Sequence, residues 1–250
     1  MAEPGWALVT GAARRIGRAL ALAAARAGYD VVVHIHHDAS SADAVETAAA
    51  ITALGRHAHI AAADLADADA CRGLIAEAPG PLTLLVNCAS LFEDDRIDTL
   101  TPASWDAAQA VNIRAPVLLA QAFAAALPAG ARGQVVNIVD QRVLKPTPQF
   151  FSYAVSKGAL WSATQMLAQA LAPRIRVNAI GPGPTLANVH QPPGAFAAES
   201  AAVLLGRGPT PDEIAQALSY LIDASSVTGQ MIAVDGGQHL GWRTPDIIDP

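Results

Sequence analysis

The chain is poor in charge, in cysteine and in aromatic rings. Of its 250 residues, 15% are charged and 5% aromatic, while 52% are hydrophobic. That balance excludes a solvated, disordered chain and leaves enough apolar surface for a large core. Lys and Arg number 16 against 22 Asp and Glu, a net charge of −6 with no basic run, so nucleic acid and anionic membranes are not expected as partners. Two cysteines, Cys71 and Cys88, give neither a disulfide framework nor a metal-ligand spacing. The opening "MAEPGWALVT" lacks the basic start and apolar core of a signal peptide. A membrane span takes about 20 predominantly apolar residues, and the least charged long segment, 115–131, is interrupted by Gln121, Pro128 and Gly130. A cytoplasmic protein is the expectation.

What the chain has is alternation. Apolar runs at 6–10, 30–36, 56–62, 82–87, 133–140, 175–180 and 230–236 predict strands, and alanine-rich segments near 15–27, 41–54, 67–77, 101–127, 152–171 and 211–223 predict helices. Runs apolar almost throughout suit strands covered on both faces. The prediction is one α/β domain over 1–250, a Rossmann fold. Its sheet would be doubly wound, mainly parallel and seven-stranded, with helices on both faces. The Pro/Gly-rich stretch "GPGPTLANVHQPPG" (181–194) is the long irregular piece, and a substrate loop is expected at about 184–210.

Directly after the first strand comes "TGAARRIGRAL". Gly11 and Gly17 would let the backbone approach a pyrophosphate, and the helix opening at Arg15 and Ile16 offers free N–H groups. The second strand ends "VVVHIHHD", with histidines where an NAD enzyme usually has an acid. Arg14 and Arg15 in the facing loop suit a 2′-phosphate, so NADP(H) is the favoured cofactor. His34 and His36 share a strand face; burial beside the adenosine is favoured over metal ligation. Asp64, followed by Leu65, either accepts a hydrogen bond from the adenine amine or caps the next helix. The small residues of "NCAS", from Asn87 through Ala89 to Ser90, suit close contact with a cofactor.

Tyr153 and Lys157 lie four apart on a predicted helix and share a face. An ammonium near a phenol lowers its pKa, which suits the tyrosine to acid work. Asp140 closes the predicted fifth strand, and Phe92, just beyond the cofactor loop, either stacks a flat ring or packs in the core.

The ordered series TGxxxxxG, Asn87, Asn112, a polar residue ending strand five, YxxxK and "RVNAIGPGPT" resembles the short-chain dehydrogenase/reductase family from about Leu8 to Gly237. By that resemblance Asn112 holds a water of the proton relay, and Pro182, Gly183 and Thr185 border the nicotinamide. A homotetramer follows by the same likeness. The stretches "TGAARRIGR", "VVHIHH", "NCASLF", "NIRAPVLLAQAFA", "NIVDQ" and "YAVSKGAL" look most like the pteridine reductase group. There an Asp, matching Asp140, replaces the usual catalytic serine. An arginine matching Arg15 reaches the pterin and the pyrophosphate. A serine and a phenylalanine matching Ser90 and Phe92 form the pocket in which the pterin stacks, with Tyr153 as proton donor. Cys88 departs from the family's second asparagine and is expected to pack. His37 and Asp38 depart from its arginine-serine pair, which leaves Arg14 to meet the 2′-phosphate. The implied activity is NADPH-dependent reduction of a C=N bond in a pterin or folate-like substrate. Carbonyl or 3-oxoacyl-thioester reduction is the alternative, and a non-catalytic NADP(H) sensor a distant third.

Overall fold

The computed structural model describes residues 5–39, 41–188 and 191–242. Seven strands form one parallel sheet in the order β3-β2-β1-β4-β5-β6-β7. They are β1 (Trp6–Val9), β2 (Asp30–Ile35), β3 (Ala58–Ala62), β4 (Leu82–Asn87), β5 (Gly133–Ile138), β6 (Ile175–Pro182) and β7 (Met231–Val234). Among the described residues the helices are α1 (Arg15–Arg26), α2 (Ala42–Ala53), α3 (Ala68–Ala76), α4 (Pro102–Gln109), α5 (Ala115–Ala126), α6 (Phe151–Leu171), α7 (Ala195–Ala201) and α8 (Pro211–Asp223).

Strand residues alternate between two cores. Ala7, Val9, Val31 and Val33 face α1 and α8, where Leu20, Ala24, Ile214 and Leu218 are buried. Leu8, Val32 and Leu85 face the other way, onto Leu74 of α3 and Leu119 and Phe123 of α5. The inner strands are buried on both sides, hence their uninterrupted apolar runs. The alanines of α1 let it pack close to the sheet and to α8.

The order reverses between β1 and β4, which pair with each other in parallel. A crevice opens there at the carboxyl ends of the strands, and Gly11, Asn87, Asp140 and Pro182 all follow or end strands on that edge. Three expectations need correction. The fifth strand ends at Ile138, so Asp140 begins a short 3₁₀ turn instead of closing the strand. The helix expected at 101–127 is α4 and α5 joined by a π-helical turn at Ala110–Arg114, where Ala115 N bonds Ala110 O. The expected loop at 184–210 contains α7. No described helix is long and apolar enough to cross a membrane.

Candidate active site

The first strand delivers the chain into a cradle only small residues can form. Gly11 has φ +66, and a Cβ there would lie 3.0 Å from the Cα of Ala89. A Cβ on Gly17 would lie 2.0 Å from the carbonyl oxygen of Gly11. Glycine at both positions brings the first turn of α1, with its unpaired N–H groups, against the β4 loop, and the space suits a pyrophosphate. Thr10, which opens the TGxxxxxG motif without a role assigned to its side chain, holds the opposite wall: its hydroxyl accepts from Cys88 N at 2.9 Å and Ala89 N at 3.0 Å. Ile16 is half-buried against the core.

Arg14 is exposed at the N-cap of α1. Arg15 adopts a left-handed backbone, φ 56, and its guanidinium donates to the carbonyls of Leu186 (3.3 Å) and Ala187 (3.0 Å). It therefore spans from the glycine loop to the segment after β6. In that segment Thr185 donates to Gly183 O at 3.0 Å. Gly183 follows Pro182 and packs so tightly on Asp235 that a Cβ would lie 2.6 Å from its Cα.

The adenosine side differs from expectation. His34 is buried, 2% exposed. Its Nδ1 accepts from Gly11 N at 3.1 Å, which makes Nε2 the donor to Ala63 O at 3.0 Å. Desolvation by burial lowers its pKa to about 4, so it is a neutral strut joining the ends of β1, β2 and β3. His36 is exposed, with Nε2 3.3 Å from Asp64 Oδ1. Asp64 also accepts from Ala66 N at 2.8 Å, the largest cause holding its carboxyl below the usual range. The capping role belongs to Asp67, which accepts from Asp69 N and Ala70 N ahead of α3. Leu65, expected beside the cofactor, turns its side chain into the core.

At the chemical end, the Tyr153 hydroxyl donates to Asp140 Oδ2 at 2.8 Å. Asp140 Oδ1 accepts from Arg142 N at 2.8 Å, and Arg142 Nη1 stands 3.4 Å from Oδ2. Arg142, which no motif marked, lays its guanidinium 5.3 Å from the centroid of Phe150. Lys157 is buried, donates to Ile138 O at 2.8 Å, and has its Nζ 5.7 Å from the Tyr153 ring centroid. Burial lowers its pKa to about 8. The expected lowering of the tyrosine pKa is overturned. Burial, and then the charge of Asp140, push it well above its ordinary value. Tyr153 is therefore a neutral phenol whose proton points at a carboxylate. Phe92 packs edge-on to Tyr153 at 4.6 Å between centroids and stacks on Phe150 at 4.4 Å.

Asn112 is fully buried between the β4 loop and α6. Its Oδ1 accepts from Leu91 N (2.8 Å) and the Ser90 hydroxyl (3.2 Å), and its Nδ2 donates to Leu91 O (2.9 Å) and Ser156 Oγ (3.0 Å). With both ends of the amide engaged, the side chain ties the β4 loop to α6. Ser90 spends its hydroxyl on this tie and caps no helix. Asn87 donates to Asn137 Oδ1 at 2.8 Å, and Asn137 donates to Thr164 Oγ1 at 2.9 Å, a buried polar ladder beneath the site. Cys88 is a packed, neutral thiol, pushed up to about 12 by burial.

A glycine cradle at the sheet's switch point, opposite a buried Tyr–Lys pair on one helix face, can hold a dinucleotide beside a proton donor. Comparison with known proteins agrees. A family model for enoyl-(acyl carrier protein) reductases matches residues 11–239. Galactitol 2-dehydrogenase of Agrobacterium fabrum is 33% identical over 92% of this chain and 96% of its own. Among solved structures, the alternative dihydrofolate reductase FolM of Brucella suis, in complex with NADP, superposes with a TM-score of 0.93 at 47% identity, covering 99% of this chain and all of that one. A short-chain dehydrogenase of Burkholderia cenocepacia, also with NADP, gives a TM-score of 0.84 at 34% identity over 93% and 96%. The chain belongs to the short-chain dehydrogenase/reductase family of oxidoreductases.

Proposed function

We propose that the protein is an NADPH-dependent reductase of a C=N bond in a flat, pterin- or folate-like heterocycle. One observation carries the reading: the 2.8 Å hydrogen bond from Tyr153 to Asp140, in a site walled by the Phe92 ring. Reduction of C=N puts a proton on a ring nitrogen. A phenol hydrogen-bonded to a carboxylate can deliver that proton and be resupplied from water through the carboxyl group. A serine at position 140 would orient the tyrosine without offering that second route. The likeness to the Brucella alternative dihydrofolate reductase supports the same substrate class.

NADPH, when bound, supplies the hydride. Gly11 and Gly17 leave room for its pyrophosphate, and Arg14 at the mouth of the loop suits its 2′-phosphate. Arg15 would border both cofactor and substrate, and Lys157 would hold the nicotinamide ribose. Tyr153 gives up the proton. That step would set a phenolate beside a carboxylate, and two cations offset the charge: Arg142, 3.4 Å from Asp140, and Lys157 below the tyrosine ring. Phe92 offers a ring face to a planar substrate.

The test is NADPH oxidation followed with dihydropterin, dihydrofolate, quinonoid dihydropterin and an acetoacetyl thioester side by side. Higher kcat/KM on a pterin or folate is expected. A preference for the thioester would sink the reading in favour of carbonyl reduction.

A further inference from the structure

Asp95 is a carboxylate that the proton relay does not use. It lies in the loop between β4 and α4, is 5% exposed, and forms no ion pair with any described residue. Its partners all belong to the first turn of α6. Oδ1 accepts from Ser152 N at 3.0 Å, Oδ2 accepts from the Ser152 hydroxyl, and its backbone carbonyl accepts from Phe151 N at 3.0 Å. Helix α6 requires this outside help. The residue before it, Phe150, is left-handed (φ 54) and has no side-chain acceptor. A side-chain oxygen and a negative charge at a helix N-terminus are both stabilising.

The two segments joined by Asp95 are the two halves of the chemistry. Helix α6 carries Tyr153 immediately after Ser152, and the loop carries Ser90 and Phe92. Phe92 reaches across to Tyr153 and stacks on Phe150. A left-handed backbone is strained for a bulky residue, and Phe150 is held there by Phe92 on one side and the Arg142 guanidinium on another. Thr10, Asn112 and Ser156 fix the early part of the same loop. Asp95 fixes its far end.

We propose that Asp95 is a positioning residue that clamps the substrate-side loop to the first turn of α6 and so sets the Phe92 ring against Tyr153. The inference rests on reading Phe92 as the wall for a flat substrate. A carboxylate that merely capped a helix would affect stability and leave the folded enzyme's KM alone. A clamp acts on KM, and acts through Phe92.

The experiment is a double-mutant cycle on the full chain with Asp95→Ala, Phe92→Ala and the pair. KM and kcat are measured on the substrate reduced best, and NADPH affinity is read by nicotinamide fluorescence. Asp95→Ala is expected to raise KM about tenfold, the size of a lost capping interaction, with NADPH affinity unchanged. The pair should be no worse than Phe92→Ala alone. Asp95→Asn, which keeps an oxygen for Ser152 N–H, should restore most of the loss. An unchanged KM, additive losses, or NADPH affinity falling in step would each overturn the proposal. If Asp95→Ala does not fold, Asp95→Asn and Ser152→Ala carry the test: a raised KM in Ser152→Ala with near-normal KM in Asp95→Asn supports the clamp, and an unchanged KM in both ends it. Should the wild type reduce no pterin or folate, the heterocycle reading falls, and the cycle runs on the carbonyl substrate it does reduce under the same criteria.

Discussion

The hydroxyl of Tyr153 donates to Oδ2 of Asp140 across 2.8 Å. Removing the phenol's proton should therefore stop turnover without emptying the cofactor site. Tyr153→Phe is expected to lower kcat by roughly 10²–10⁴, the usual weight of a general acid, with NADPH affinity retained. Near-normal turnover in this variant would contradict the acid role.

Asp140→Ser isolates what the carboxylate adds. A serine still orients the tyrosine, so carbonyl reduction should survive better than reduction of a dihydropterin or dihydrofolate. Parallel kinetics on the two substrate classes check this. Equal losses would mean that the carboxylate is not matched to a ring nitrogen.

Lys157 makes cofactor binding pH-dependent. Its pKa lies near 8 because burial penalises the ammonium. Below that pH the lysine is charged and able to hold the nicotinamide ribose; above it the charge is lost. NADPH affinity should be flat below about pH 8 and weaken above it, toward about tenfold per unit where binding requires proton uptake. Fluorescence titrations across pH should show the bend, and Lys157→Met should abolish it. The stability sign is opposite. With a folded pKa below the ordinary value of 10.5, the unfolded chain holds more protons between the two values, so this group's contribution to stability rises with pH across that window.

The seven strands, the glycine cradle and the Tyr–Lys pair were legible in the sequence because each depends on local pattern. Two-sided burial gives apolar runs, and residues four apart share a helix face. The rest depended on partners far along the chain. Asp95 lies 57 residues from Ser152, so nothing near it in sequence marks it as the cap of α6. His34 is bonded at both ring nitrogens by distant segments, Gly11 N of the loop after β1 on Nδ1 and Ala63 O just after β3 on Nε2. Leu65 follows a polar loop residue yet turns inward, because the start of α3 must pack against the sheet. The tyrosine's pKa went the other way because burial and Asp140 together outweigh the lowering by the Arg142 guanidinium.

His34 should govern the acid limit of stability. Its folded pKa is about 4 against an ordinary value of 6.5. Between these values the unfolded chain binds the proton and the folded chain does not, so stability is lost as pH falls through that window. The buried ring contributes a loss of about 3 kcal/mol by pH 4, to order of magnitude. Urea midpoints measured from pH 7 to 4 should fall more steeply for the wild type than for His34→Gln. The variant is expected to be weaker at pH 7, because glutamine does not span from Gly11 N to Ala63 O as the ring does, but flatter toward acid. Parallel slopes would mean that other groups set the acid limit.

Gly17→Ala tests the cradle itself. The added Cβ would lie 2.0 Å from the Gly11 oxygen and 2.8 Å from its carbonyl carbon, both backbone atoms that cannot swing aside. Either α1 lifts away from the loop or the loop moves into the space that suits the pyrophosphate. Both outcomes weaken cofactor binding, and lifting α1 also uncovers its buried alanines from the sheet and α8. Overpacking of this kind costs about 1–3 kcal/mol, so NADPH affinity should fall by at least about tenfold with a lower unfolding midpoint. Alanine is a better helix former than glycine by about 1 kcal/mol; a stabilised variant with normal NADPH affinity would mean that propensity outweighs the clash and that the close approach at Gly17 is not what shapes the site.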